Sequence, residues 1–438
     1  MKKLIAVALV LSLCFAVVSC NFIYDREVVA TAGPEVAVKY SDSRDEGYLA
    51  FLDKLDRFAA RLSYEVYSDS DKRSNICISP VSVYMALALA TECSDGDTRE
   101  EILNAVGVSY DEVKNFTKLL YAFSNNEYYY TDMLNNRQVL AFAELANSIW
   151  ADRGLQLKEA GVNSLAGDYN CDLFKVNFAS GDAERAINAY IKEKTHGLID
   201  GSINLSPETL ITIINTVYLK EVWNEDGDKL KFTDITYDFK NSDGSVSPTK
   251  LLCGYYFNGN IYEGEGYTSF FTRTDHNYQI KFILPADGHS LEEVFTAENI
   301  YTINNITNYG YIDDENKLLH HTRVLFPEYK ASYDGDLSGI LKEEFGINSL
   351  FDDKGCDFSR ITDETVFCDG VIHKCALDVN ARGIEGAAVT VMPMAGAAGP
   401  LEGYVDVYHD FIVDRAFGFV ITDSYGAVLF AGVVNGVK

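Results

Sequence analysis

The chain has 438 residues, 47% of them hydrophobic and 13% aromatic, which is enough to bury a large core. Its 65 acidic residues against 37 basic ones give a formal net charge of −28, a surface that repels phosphate backbones and polyanions and argues against a nucleic-acid partner. No proline-rich, glycine/serine-rich or charge-block linker interrupts residues 46–438, so that span reads as one large domain.

Lys2 and Lys3 precede an apolar run from Leu4 to Val18, the pattern of an export signal and too short for a membrane-spanning helix. The run ends in Val17-Val18-Ser19-Cys20, which resembles the lipobox of bacterial lipoproteins. On that reading residues 1–19 are a signal peptide and Cys20 carries the lipid. Residues 20–45 are then a lipidated N-terminus and polar tether, and the domain sits in the cell envelope, on an outer membrane or the cell surface. The lipid anchor would be its only tie to a membrane. Ordinary cleavage beside an incidental cysteine is the alternative, and implies secretion. Setting aside Cys14 and Cys20 leaves an odd number of the nine cysteines, scattered and not a disulfide framework. Cys77, Cys171 and Cys375 lie among apolar residues and read as small core fillers. The seven histidines show no metal-ligand spacing, so no metal or cofactor is expected.

Apolar residues at helical spacing over 46–68 open the domain with an amphipathic helix. Asn75 to Ile78 is a short strand, and Ser79-Pro80-Val81-Ser82 starts a helix that is apolar on nearly every face and therefore buried. Thr98-Arg99-Glu100-Glu101 reads as the capping box of the next helix, through Val106. Helices over 111–123, 159–166, 183–195 and 337–344 and strands over 138–151, 210–220, 318–327 and 366–380 follow. Hairpins fill 232–284, and Phe417–Thr422 and Val428–Val434 are apolar runs. Strand 210–220 is an unbroken apolar run around Asn215 and Thr216, as a strand covered on both faces should be. Helices and strands do not alternate regularly, so the fold class is α+β.

Between strong strand signals lies a weak one, Gly383-Ile384-Glu385-Gly386-Ala387-Ala388-Val389-Thr390, continuing to Gly399-Pro400. Residues two apart share a strand face, so Ile384, Gly386, Ala388 and Thr390 would point one way, and most of that face is small. Such a segment can live as a loop or enter a sheet; a flexible linker is the plain alternative.

Taken in order, the motifs resemble those of the serpins over about Glu46 to Lys438. Asn75 through Ser79-Pro80-Val81-Ser82 resembles the start of the family's buried second helix. Asn188-Ala189-Tyr190-Ile191 with Thr195-His196-Gly197-Leu198-Ile199 resembles IN-W-V…T-x-G-K-I, and Asn215 to Lys220 with Trp223 resembles N-A-x-Y-F-K-G-x-W. His373-Lys374 through Gly383 is similar to the strand and hinge, and Asp414-Arg415-Ala416-Phe417 to D-R-P-F.

The resemblance implies a serpin fold, with a large central mixed sheet, further sheets, eight or nine helices and an exposed reactive-centre loop. It implies a monomeric serine protease inhibitor, not an enzyme, that acts as a suicide substrate. The target, a serine protease or in some cases a cysteine protease, cleaves the loop. An acyl-enzyme forms, and the freed loop inserts into the main sheet and traps the protease. Loop insertion in serpins is a recognised instance of strand addition. Carried over by position, Ser79, Ser82, Asn215 and His373 would form a polar cluster where the sheet parts, with Trp223 at the point of loop entry. The hinge would be Gly383, Ile384, Glu385, Gly386, Ala387, Ala388 and Thr390. The family's spacing puts the scissile bond at Ala397-Ala398, which suits elastase- or subtilisin-like targets; the segment onward to Phe411 is longer than usual, and a slipped register would place the bond at Met394-Ala395 or after Met392, for a chymotrypsin-like target.

Three departures from the family pattern bear on loop insertion. Ile384 stands where a small hydroxyl residue is usual, Ala381 replaces a glutamate, and Pro393 would cost a ladder hydrogen bond on insertion. Ile384 and Pro393 support a rival, a non-inhibitory serpin-fold binding protein whose loop is cleaved without trapping. A surface hydrolase is the other rival; the chain has no Gly-x-Ser-x-Gly elbow and no metal motif.

Overall fold

The computed structural model describes residues 25–33, 38–131, 137–199, 203, 205–223, 230–306, 308–384 and 403–437. Helix Glu46–Ser68 opens the domain with Phe51, Leu55, Phe58, Leu62 and Val66 buried, and Asp45 caps it by accepting from the Tyr48 N–H. Strand Ile76–Ile78 then feeds helix Pro80–Cys93, in which every residue but Ala86 is buried. Pro80 suits the first turn because the N–H it lacks would have no helical partner there.

Among the described residues nine α-helices pack around an eight-stranded mixed sheet and smaller sheets, an α+β architecture. The main sheet runs Glu27–Ala30, Cys171–Val176, Arg137–Asp152, Ile211–Val222, Gly383–Ile384, Ile372–Asn380, Tyr329–Asp336, with Asn126–Thr131 also on Arg137–Asp152. Arg137–Asp152 and Ile211–Val222 pair antiparallel from Phe142 opposite Lys220 to Ala151 opposite Ile211. Behind the sheet lies the main core, which takes in the buried helix and the strands Phe417–Thr422 and Val428–Val434. In front, helix Gly181–Lys194 lays Ala183, Ala186, Ile187, Tyr190 and Ile191 on Trp150, Phe174 and Ile214 in a second core. A further sheet carries Leu252–Asn258, Leu318–Phe326 and Val405–Ile412.

Several boundaries differ from expectation, each for a local reason. The stretch read as tether over 20–45 holds an edge strand, Glu27–Ala30, antiparallel to Cys171–Val176, and a short 3-10 turn, Tyr40–Arg44. The capping box at Thr98 does not form: the helix starts two residues earlier, at Gly96, with Asp95 as its cap. Thr98 Oγ1 is instead inside the helix and accepts from the Asp357 N–H at 2.9 Å. The strand expected from Val366 begins at Ile372, because Val371 N–H is taken by the Asp336 carboxylate and the Ser338 hydroxyl.

Candidate functional site

Two parallel-running strands, Ile211–Val222 and Ile372–Asn380, flank Gly383–Ile384, which pairs with both: Ile384 opposite Glu221 and Val379, Gly383 opposite Val222 and Asn380. Among the described residues no ladder joins the two long strands directly below that point. Among the described residues the sheet is thus bridged at its top by Gly383–Ile384 and left unladdered beneath. Only glycine fits the first hinge position: φ is +156°, and a Cβ on Gly383 would meet the Glu221 carbonyl oxygen at 1.9 Å. Ile384, whose bulk pointed to over-packing, is seated there with 0% exposure. Ala381 leaves no glutamate of its own, but its N–H donates to Glu328 Oε1 at 2.7 Å, so a carboxylate from the neighbouring loop fixes the turn.

Trp223 stands at this top end, buried, with its indole edge-on to Phe326 at 5.4 Å. Its Nε1–H donates to the Asn380 carbonyl at 2.8 Å, which ties the end of one flanking strand to the end of the other. Beside it is a residue that the sequence reading passed over. Glu221 stands where the family motif has glycine, and that substitution was the available signal. Its carboxylate is fully buried, with Oε2 at 3.2 Å from His276 Nδ1 and Oε1 unpartnered among the described residues. His276 is stacked on Tyr128, ring centroids 3.8 Å apart, and Asp275 lies 3.7 Å from its Nε2. Burial raises the Glu221 carboxyl above its ordinary range, an effect that the imidazole only partly offsets.

The polar cluster foreseen beneath the sheet is two clusters. Ser79 and His373 meet: the Ser79 N–H donates to His373 Nε2 at 3.1 Å, and the Ser79 hydroxyl accepts from the Ser82 N–H at 3.4 Å. Burial pushes the His373 imidazole down to about 4, so the ring is neutral at pH 7 and its proton sits on Nδ1, opposite the accepting Nε2. Asn215 does not reach them. It faces Asn147 across the ladder and donates to its side-chain oxygen, while Asn147 Nδ2 donates to the Tyr169 carbonyl at 2.8 Å. Asn215 Oδ1 and the neighbouring Thr216 hydroxyl are both buried without partners among the described residues. The reason for the split is directional. Asn215 spends its amide on the long strand beside it, whereas His373 points down onto the cap of the buried helix.

Glu385, Gly386, Ala387, Ala388, Thr390, Pro393, Ala397, Ala398 and Cys20 lie outside the described residues. No group of three or more metal-capable side chains occurs among the described ones.

The model of one family, described as Serpin (serine protease inhibitor), matches residues 53–436. Iripin-1 of Ixodes ricinus is 28% identical over 390 residues, spanning 84% of this chain and 90% of its own length. Among solved structures, the thermophilic serpin tengpin in its native state superposes with TM-score 0.67 at 23% identity, over 93% of this chain and 97% of its own. Thyroxine-binding globulin complexed with thyroxine gives 0.70 at 20% identity, over 88% and 99%. A family match across most of the sequence, on a fold whose main sheet is closed at its top by Gly383–Ile384, establishes that the chain belongs to the serpins.

Proposed function

We propose that this serpin is a suicide-substrate inhibitor of a serine protease. The protease attacks the bond between Ala397 and Ala398, and the acyl-enzyme is trapped when the freed loop enters between Ile211–Val222 and Ile372–Asn380. The observation that carries this reading is the seated hinge: Gly383–Ile384 already has ladder partners on both sides, and the next residues to add would continue the same ladder downward. Below that point no ladder joins the facing edges of the two long strands among the described residues, which leaves backbone groups for an added strand to take up. The burial of Ile384 between the two strands supports this reading against the non-inhibitory one, whose remaining support is Pro393.

Mixing the chain from Cys20 onward with a pancreatic elastase tests the proposal. A complex stable to denaturing detergent, with a released C-terminal fragment beginning at Ala398, is expected. Loop cleavage with the protease still active would overturn inhibition and leave the non-inhibitory reading. The lipid anchor at Cys20 belongs to the same proposal: Cys20→Ala should move the protein from the membrane fraction to the soluble one.

A further inference from the structure

Directly beside the Ser79–His373 contact, two buried thiols touch. Cys77 Sγ and Cys375 Sγ are 3.5 Å apart although the residues are 298 positions apart in sequence. Each is two residues from a member of the neighbouring contact, so the contacts Cys77/Cys375 and Ser79/His373 lie side by side where strand Ile76–Ile78 and the helix cap after it pack on strand Ile372–Asn380. Both backbones are held in ladders, Cys77 opposite Gly432 and Cys375 opposite Tyr333. Exposure is 0% for Cys77 and 5% for Cys375. A disulfide needs the sulfurs at about 2.05 Å, a closure of roughly 1.5 Å from the contact seen here.

We infer that Cys77 and Cys375 are a disulfide-forming pair, a covalent modification site that fastens the strand Ile372–Asn380 to the strand entering the buried helix. The oxidant is a small-molecule disulfide such as oxidised glutathione, or a protein disulfide of the same class. One cysteine thiolate attacks a sulfur of the oxidant, expelling one glutathione thiolate and leaving a mixed disulfide. The second cysteine thiolate then attacks the protein sulfur and expels the other glutathione. Two protons leave the thiols, and two electrons pass to the oxidant. In the closed fold burial holds the Cys77 thiol far above its ordinary range, and the site has no room for a glutathione adduct. The bond therefore forms while the chain folds, and the reduced folded protein resists oxidation.

The test is to refold the reduced, denatured chain in a glutathione redox buffer, quench with an alkylating reagent in denaturant so that buried free thiols are also capped, and digest without reductant. Mass spectrometry should find a Cys77 peptide joined to a Cys375 peptide, lighter than the two free thiol peptides by two hydrogens. The melting temperature should rise by about 5 °C over the same sample after reduction. Cys375→Ala and Cys77→Ser should each lose both the joined peptide and the rise. Alkylation of both cysteines after refolding, or pairing of either with another cysteine, would overturn the inference. So would a folded, reduced protein that oxidises at the rate of a free peptide thiol.

Discussion

The two walls on either side of Gly383–Ile384 differ in how their polar groups are satisfied. Along Ile372–Asn380, His373 accepts from Ser79, Lys374 reaches Asp334, and Asp378 holds Lys330 and the Asn380 amide. Along Ile211–Val222, Asn215, Thr216 and Glu221 each bury an oxygen with no partner among the described residues. The first wall is anchored to the floor of the molecule. The second keeps polar atoms whose desolvation, at about 1–3 kcal/mol each when unpaired, is not offset in this state.

The largest way to disturb this contrast is at the point where both walls meet. Gly383→Val drives a side chain into the Glu221 carbonyl and should cost roughly 3–5 kcal/mol of hinge docking. Hydrogen exchange at the amides of Glu221 and Val222 should accelerate accordingly, with the rest of the sheet unchanged; unaltered exchange would show that the hinge is not seated in solution.

The fixed wall can be probed through acid. His373 is neutral in the fold down to about pH 4, whereas an unfolded histidine takes a proton near 6.5. The unfolded state therefore binds more protons between those values, so this stabilisation is complete above pH 6.5 and is lost as pH falls toward 4, by about 3 kcal/mol. Burial also raises Asp56 to about 7 and Asp423 to about 6, and those carboxyls contribute slopes of the opposite sign. The measurement is consequently a difference: urea unfolding of His373→Gln against the parent between pH 4 and 7 should show the parent's extra slope disappear.

The smallest effect sharpens the comparison most. Thr216→Val keeps the shape and deletes an unpartnered hydroxyl, so stability should rise by about 0.5–1 kcal/mol in thermal unfolding, while the same exchange at a paired threonine such as Thr91 should lower it. Equal losses at both positions would erase the distinction between the walls.

Much of this frame could be seen in the chain itself. The serine–proline helix start, the apolar run around Asn215 and Trp223 each sit where their local chemistry put them. Burial demands a cap, a both-sided strand and a donor with a carbonyl nearby. Contacts between distant segments were not legible. Nothing near Glu221 announces His276, and neither cysteine run names the other, since such pairs are set by how sheets stack and not by periodicity. Glu27–Ala30 was missed for a related reason: a four-residue edge strand has one neighbour and no full apolar alternation. Thr98 misled because a good capping sequence competes with an aspartate placed slightly earlier.

That edge strand also bears on how the molecule keeps to itself. Cys171–Val176 would otherwise present a row of open amides and carbonyls at the rim of the main sheet, a template on which a second molecule could add. Glu27–Ala30 occupies the row, and its own outer side is only four residues long and carries Glu27. A chain cut at Glu46 would bare the rim, so losing Glu27–Ala30 should raise the molecule's tendency to self-associate.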